Sequence, residues 1–199
     1  MITEIAEPRS DLPFHQWLRN VNSQCGEDGV IEKLLHACGI NRGYFVEFGA
    51  WDGRYLSNCA KLADEGWEGC FIEGDSDRFL KLRETYSTRP GITTVNAFVT
   101  TEGENCLDAI LKRCSAPLDI TVLSIDVDGI DYHIWASLTR CAPILCIIEF
   151  NPTISANVGY FQENDVTVSR GCSLRALWRL AQKKGYALVA ATELNGSPM

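Results

Sequence analysis

Six short apolar runs recur along the chain, and between consecutive runs the apolar residues fall at helical spacing. That alternation constrains the fold more than any other feature. The runs are 44–48 (YFVEF), 70–75 (CFIEGD), 93–99 (TTVNAFV), 120–127 (ITVLSIDV), 144–151 (ILCIIEFN) and 186–193 (YALVAATE). Between them the spacing predicts helices over 55–65, from 76 onward with Ser76 or Asp77 as cap, and over 104–114, 131–138 and 173–185. A further helix is expected in GEDGVIEKLLHACGI, ending at Gly39, and a short one within 12–22 around Trp17. Several strands are apolar on both faces. A mostly parallel sheet covered by helices on both sides follows, and right-handed crossovers make it doubly wound. In such sheets ligands sit outside the C-terminal strand ends, where the winding reverses.

The 199 residues suit one domain, with 1–21 as a lead-in segment and 22–199 as the domain proper. A net charge of −8 argues against nucleic acid or an anionic membrane as partner. No apolar run is longer than a strand, and the acidic, proline-containing N-terminus is no secretory signal, so a cytoplasmic protein is expected. The nine cysteines form no CxxC pair and read as reduced, mostly buried small hydrophobes. His15, His36 and His133 are too scattered for a zinc site.

The strand ends carry the chemistry. The first run holds Glu47 and turns through Gly49, Ala50, Trp51, Asp52 and Gly53. The second ends in Glu73, Gly74 and Asp75, and the third holds Asn96. The fourth ends in Asp126 and Asp128, the fifth in Glu149 and Asn151. Five polar ends converge on one pocket mouth. A dinucleotide turn wants G-x-G-x-x-G, but the second glycine is replaced by Trp51, and an acid in the strand repels pyrophosphate. Glu73 can take both hydroxyls of a ribose. A ligand with a ribose, an adenine and a positive centre, but no phosphate, is S-adenosylmethionine. Each residue also has a plain structural reading: Gly49 and Gly53 as turn glycines, Glu73 as a helix cap, Asn96 as a turn-former. Asp126 and Asp128 begin like a calcium loop whose later ligands are missing, and a loose divalent-metal site of Asp126, Asp128 and Glu149 stays open.

With these residues in order, the chain resembles the FkbM-type family of S-adenosylmethionine-dependent methyltransferases. SQCGEDGVIEKLL resembles the lead-in helix, and FVEFGAWDGRYLSNCAKLADEGWEGCFIEGD the cofactor-binding βαβ unit, with Ser57 and Asn58. VNAFV resembles the third-strand motif and LSIDVDGIDYHIW the acidic motif after the fourth strand. The resemblance implies a class I methyltransferase sheet of Rossmann-like type. It places Glu47 and Gly49 at the methionine moiety and Glu73 on the ribose. Asn96 and Ala97 then lie beside the adenine, Asp126 near the sulfonium, and Gln24 closes over the cofactor. Ala50, Gly53, Asn58 and Gly74 complete the expected cofactor set.

Two departures from the family pattern stand out. Ser124 replaces a lysine often found there, and the sequence ends six residues after the sixth run, leaving no residues for a seventh strand. The fifth strand is then an open edge, through which a homo-oligomer could form. The expected reaction is methyl transfer to a hydroxyl of a small molecule or sugar, with Asp126 and His133 as candidate bases and Asp128 and Glu149 behind them. The long polar loop 151–171, with Tyr160 and Phe161, is sized for a substrate lid or wall. The alternatives are a binding or regulatory module without turnover, and a metal-dependent enzyme using Asp126, Asp128 and Glu149.

Overall fold

The computed structural model describes residues 13–192. Five strands form one sheet: β1 (Tyr44–Phe48), β2 (Glu68–Glu73), β3 (Ile92–Asn96), β4 (Val122–Ile125) and β5 (Leu145–Ile148). Every pairing is parallel and the order is β3-β2-β1-β4-β5. The chain thus leaves β1 in one direction and returns to β4 on its other flank, the doubly wound α/β arrangement the alternation predicts. The helices are α1 (Glu27–Ala37), α2 (Ala60–Asp64), α3 (Ser76–Thr85), α4 (Leu107–Arg113), α5 (Asp131–Ser137) and α6 (Leu174–Lys183). None among the described residues is long and apolar enough to cross a membrane.

Alternate residues of each strand feed opposite faces, so the sheet builds two cores. Phe45, Phe71 and Val122 pack with Ile31, Leu62 and Leu82 from α1, α2 and α3. Val46, Ile72 and Leu123 pack with Leu111, Ile134 and Leu177 from α4, α5 and α6. Phe45, Phe71, Leu123 and Ile134 are fully buried.

Three expectations need correction. The sixth run is not a strand: 186–192 joins no ladder, and residue 193 lies outside the described residues. The reason lies in its anchors. The Tyr186 hydroxyl donates to the Pro143 carbonyl at 2.7 Å and the Thr192 hydroxyl to Glu27 of α1 at 2.7 Å. Drawn toward α1, the segment and β5 both line a cavity between them, and β5 pairs with β4 alone. The helix expected over 55–65 is only α2, because Leu56 adopts a left-handed backbone (φ 56°) just before it. Near Trp17 there is a single 3₁₀ turn, Pro13–Gln16, and residue 12 lies outside the described residues. Of the cysteines, Cys59, Cys70 and Cys172 are buried, Cys38 is exposed and the rest are half-buried.

Candidate functional site

Glu47 occupies a position of β1 that faces α2, between the core residues Val46 and Phe48 of the other face. Its carboxylate is almost fully buried, and the chain itself satisfies it. The Ser57 hydroxyl donates to Oε2 at 2.6 Å, the Asn58 N–H to Oε1 at 2.9 Å and the Cys59 N–H to Oε2 at 3.2 Å. These donors lie just before α2, whose first N–H, that of Ala60, donates in turn to the Ser57 hydroxyl at 2.9 Å. Burial pushes the carboxyl up to about 7 against the pull of those three bonds. The structure therefore does not bring Glu47 to an open cavity; it seats the segment that presents Asn58. The Asn58 side chain donates to the Ser124 hydroxyl at 3.0 Å and lines the cavity beside β5.

The β1 turn is held equally tightly. Gly49 has φ +75°, and a Cβ there would stand 1.6 Å from the Asp126 carbonyl oxygen. Only glycine lets the ends of β1 and β4 meet. Gly53 donates back to the Ala50 carbonyl at 2.7 Å and has φ +76°, with the Tyr86 ring against it. Trp51, also left-handed, donates its N–H to Glu73 Oε2 at 2.7 Å, and the Asp75 N–H donates to Oε1 at 2.8 Å. The cap of α3 is Asp75, which accepts from the N–H groups of Asp77 and Arg78, and not Ser76, Asp77 or Glu73. Each Glu73 oxygen thus keeps a lone pair beyond its backbone donor. Asn96 lies opposite Glu73 in register and donates to its carbonyl at 2.8 Å; Gly74 packs under Phe98, and Ala97 is buried beside them.

Past β4 and β5 the acids gather. Asp126, Asp128 and Glu149 each offer an oxygen within 4.8 Å of the others, all three being exposed to the open side. Protein nevertheless surrounds them. Burial, then the charges of Asp131, Asp128 and Glu27, pushes Asp126 up to about 7. Burial, then Asp126, Asp131 and Asp128, pushes Glu149 up to about 8. Among the described ion pairs no cation answers these carboxylates. Asp131 was missed in the sequence, although the spacing of acids in DVDGID signals it. Its buried carboxylate accepts from the N–H groups of Val127 at 2.8 Å and Gly129 at 2.9 Å and so shapes the loop carrying Asp128, whose φ is 55°.

Asp126, Glu149, Asn58 and Gln24 also line a cavity of about 350 Å³ between α1, β5, α6 and the 186–192 segment. His133 does not. Its Nε2 faces the Gln162 carbonyl at 2.7 Å, an acceptor, so that nitrogen carries the proton and tethers the loop. Phe161 stacks on Tyr132 with ring centroids 4.1 Å apart, and the buried Gln162 amide bonds the backbone at Asp165, Val168, Arg170 and Gly171. The candidate base His133 is thus placed as an anchor of the 151–171 loop, and Phe161 likewise.

No family profile matches the sequence, and none of the curated proteins does. Among solved structures, the fold is similar to a protein from Galdieria sulphuraria assigned as a sarcosine dimethylglycine methyltransferase, at 12% identity and a TM-score of 0.38. The match covers 58% of this chain and 41% of that one, so this chain spans less than half of the neighbour's length.

Proposed function

We propose that this protein is an S-adenosylmethionine-dependent methyltransferase of FkbM type, acting on a hydroxyl group. One observation carries the reading: polar groups at the ends of β3, β2, β4 and β5 flank the β1 turn on both sides in a doubly wound sheet, at the β1/β4 reversal where such sheets bind nucleoside ligands. The donor set fits that cofactor. The acids repel phosphate but suit a sulfonium and an ammonium, and the free lone pairs of Glu73 suit two ribose hydroxyls. When bound, S-adenosylmethionine supplies an electrophilic methyl group. Glu73 holds the ribose, and Gly49 keeps the β1 turn closed on β4. Asn96 and Ala97 border the adenine. Asp126, with a carboxyl near neutrality, takes the hydroxyl proton, with Glu149 as the second candidate base. Calorimetric titration tests this directly. Saturable binding that Glu73→Ala weakens by about 10- to 100-fold, the scale of lost hydrogen bonds to a charged group, is the expected result. A folded wild type that binds neither the cofactor nor its demethylated product overturns the reading.

A second reading rests on the acid cluster. Oxygens up to 4.8 Å apart match ligands on opposite sides of a cation held at about 2.4 Å. Equilibrium dialysis with manganese measures it: one bound ion per chain, lost in Asp128→Asn, establishes a metal site, and no retained ion removes it.

A further inference from the structure

The cavity beside β5 is apolar along its walls and acidic where the strand ends meet it. Leu34, Ile147, Leu177, Trp178 and Leu188 contribute to the walls. Its acids cluster: Asp126 and Glu149 lie within 4.8 Å of each other, and Glu27 is close enough to act on Asp126. Strand β4 lies between β1 and β5. Asp126, just past its end, therefore has the β1 turn on one flank, with Gly49 against its carbonyl, and the cavity on the other.

We propose that this cavity is the acceptor pocket, and that the acceptor is a hydrophobic alcohol or phenol presenting one hydroxyl to Asp126, not a sugar. The proposal rests on the methyl-transfer reading for its chemistry but on the cavity alone for its ligand class. A sugar carries a hydroxyl on nearly every carbon, and each needs a partner once out of water. The aliphatic and indole side chains offer almost none, and the open edge of β5 offers a single row of backbone groups along one side. A flat apolar body with a single hydroxyl gains contact along those side chains and leaves only one group of its own to be satisfied. The acids disfavour any acceptor bearing carboxylate or phosphate nearby. A volume of about 350 Å³ falls within the range of small-molecule sites and admits a bicyclic phenol. The other possible occupants are this chain's residues 193–199 and a second copy.

The test is calorimetric titration of 2-naphthol into the full chain without cofactor, so that its outcome is independent of whether S-adenosylmethionine binds. One-to-one, saturable binding is expected, with no heat from glucose at the same concentrations. Leu188→Glu and Trp178→Ala each weaken 2-naphthol at least tenfold while thermal midpoints stay near wild type. Leu188 is 48% exposed, so the charge is tolerated by the fold. Binding of glucose without 2-naphthol overturns the proposal, as does 2-naphthol binding that neither variant changes. Binding seen only in a chain ended at Thr192 makes the tail the occupant, and binding seen only when a dimer dissociates makes it a second copy; either overturns it.

Discussion

Gly49→Ala is expected to cost about 3 kcal/mol of folding stability, the largest single-residue effect in this region. Two penalties add. A non-glycine residue at φ +75° costs roughly 1–2 kcal/mol. The new methyl would stand 1.6 Å from the Asp126 carbonyl, so β1 and β4 must part, at an overpacking cost of about 1–3 kcal/mol. For a chain of this size the thermal midpoint falls by roughly 6–12 °C. On the proposed function, affinity for S-adenosylmethionine falls with it, because the turn that meets Asp126 also holds Trp51 against Glu73. A midpoint within 2 °C of wild type (roughly half a kcal/mol) means that the turn relaxes freely and that the closure of β1 on β4 is not fixed by this glycine.

Asp126→Asn separates stability from activity. As the proposed base, its loss lowers the methyl-transfer rate by about 10²–10⁴-fold with the cofactor still bound. Stability moves the other way. A carboxyl raised from its ordinary value to about 7 binds its proton more tightly in the folded than in the unfolded chain. Its unfavourable contribution is absent below pH 4, grows as pH rises toward 7 and is complete above it. Asparagine removes that contribution and one of the charges that raise Glu149. Because Asp126 is exposed on one side, solvent screening holds the gain to about 1 kcal/mol or less at pH 8. Urea unfolding at pH 4 and pH 8 measures it: the variant gains on wild type only at the higher pH. A variant that loses stability at pH 8 shows instead that a bound cation had been offsetting the repulsion.

Strands β1, β2 and β4 were legible because burial on both faces leaves an apolar run with few alternatives. The less buried edge strands β3 and β5 were legible from their place in the alternation with helices. YALVAATE has the same composition, yet a ladder also needs a partner at hydrogen-bond distance. Tyr186 and Thr192 anchor the described part of this run elsewhere. The acid in β1 was readable as an anomaly but not as the anchor of residues 57–59, since those partners follow a left-handed residue that local propensity does not announce. The convergence of Asp126, Asp128 and Glu149 followed from strand order alone. His133 could not be placed from sequence, because its partner belongs to a loop whose path depends on the buried side chain of Gln162.

Because every pairing is parallel, each strand must wait for a crossover before it gains a neighbour. Tyr44 can meet Glu68 early in synthesis, but Phe45 has no second flank until Val122 has emerged. During that interval β1 is an apolar ribbon open along one side, the kind of segment that seeds aggregation. Glu47 sits in the middle of it and is charged while solvent still reaches it. The acid that later anchors residues 57–59 ahead of α2 is therefore also a gatekeeper for the nascent chain, keeping the central strand from premature partners until its own arrive.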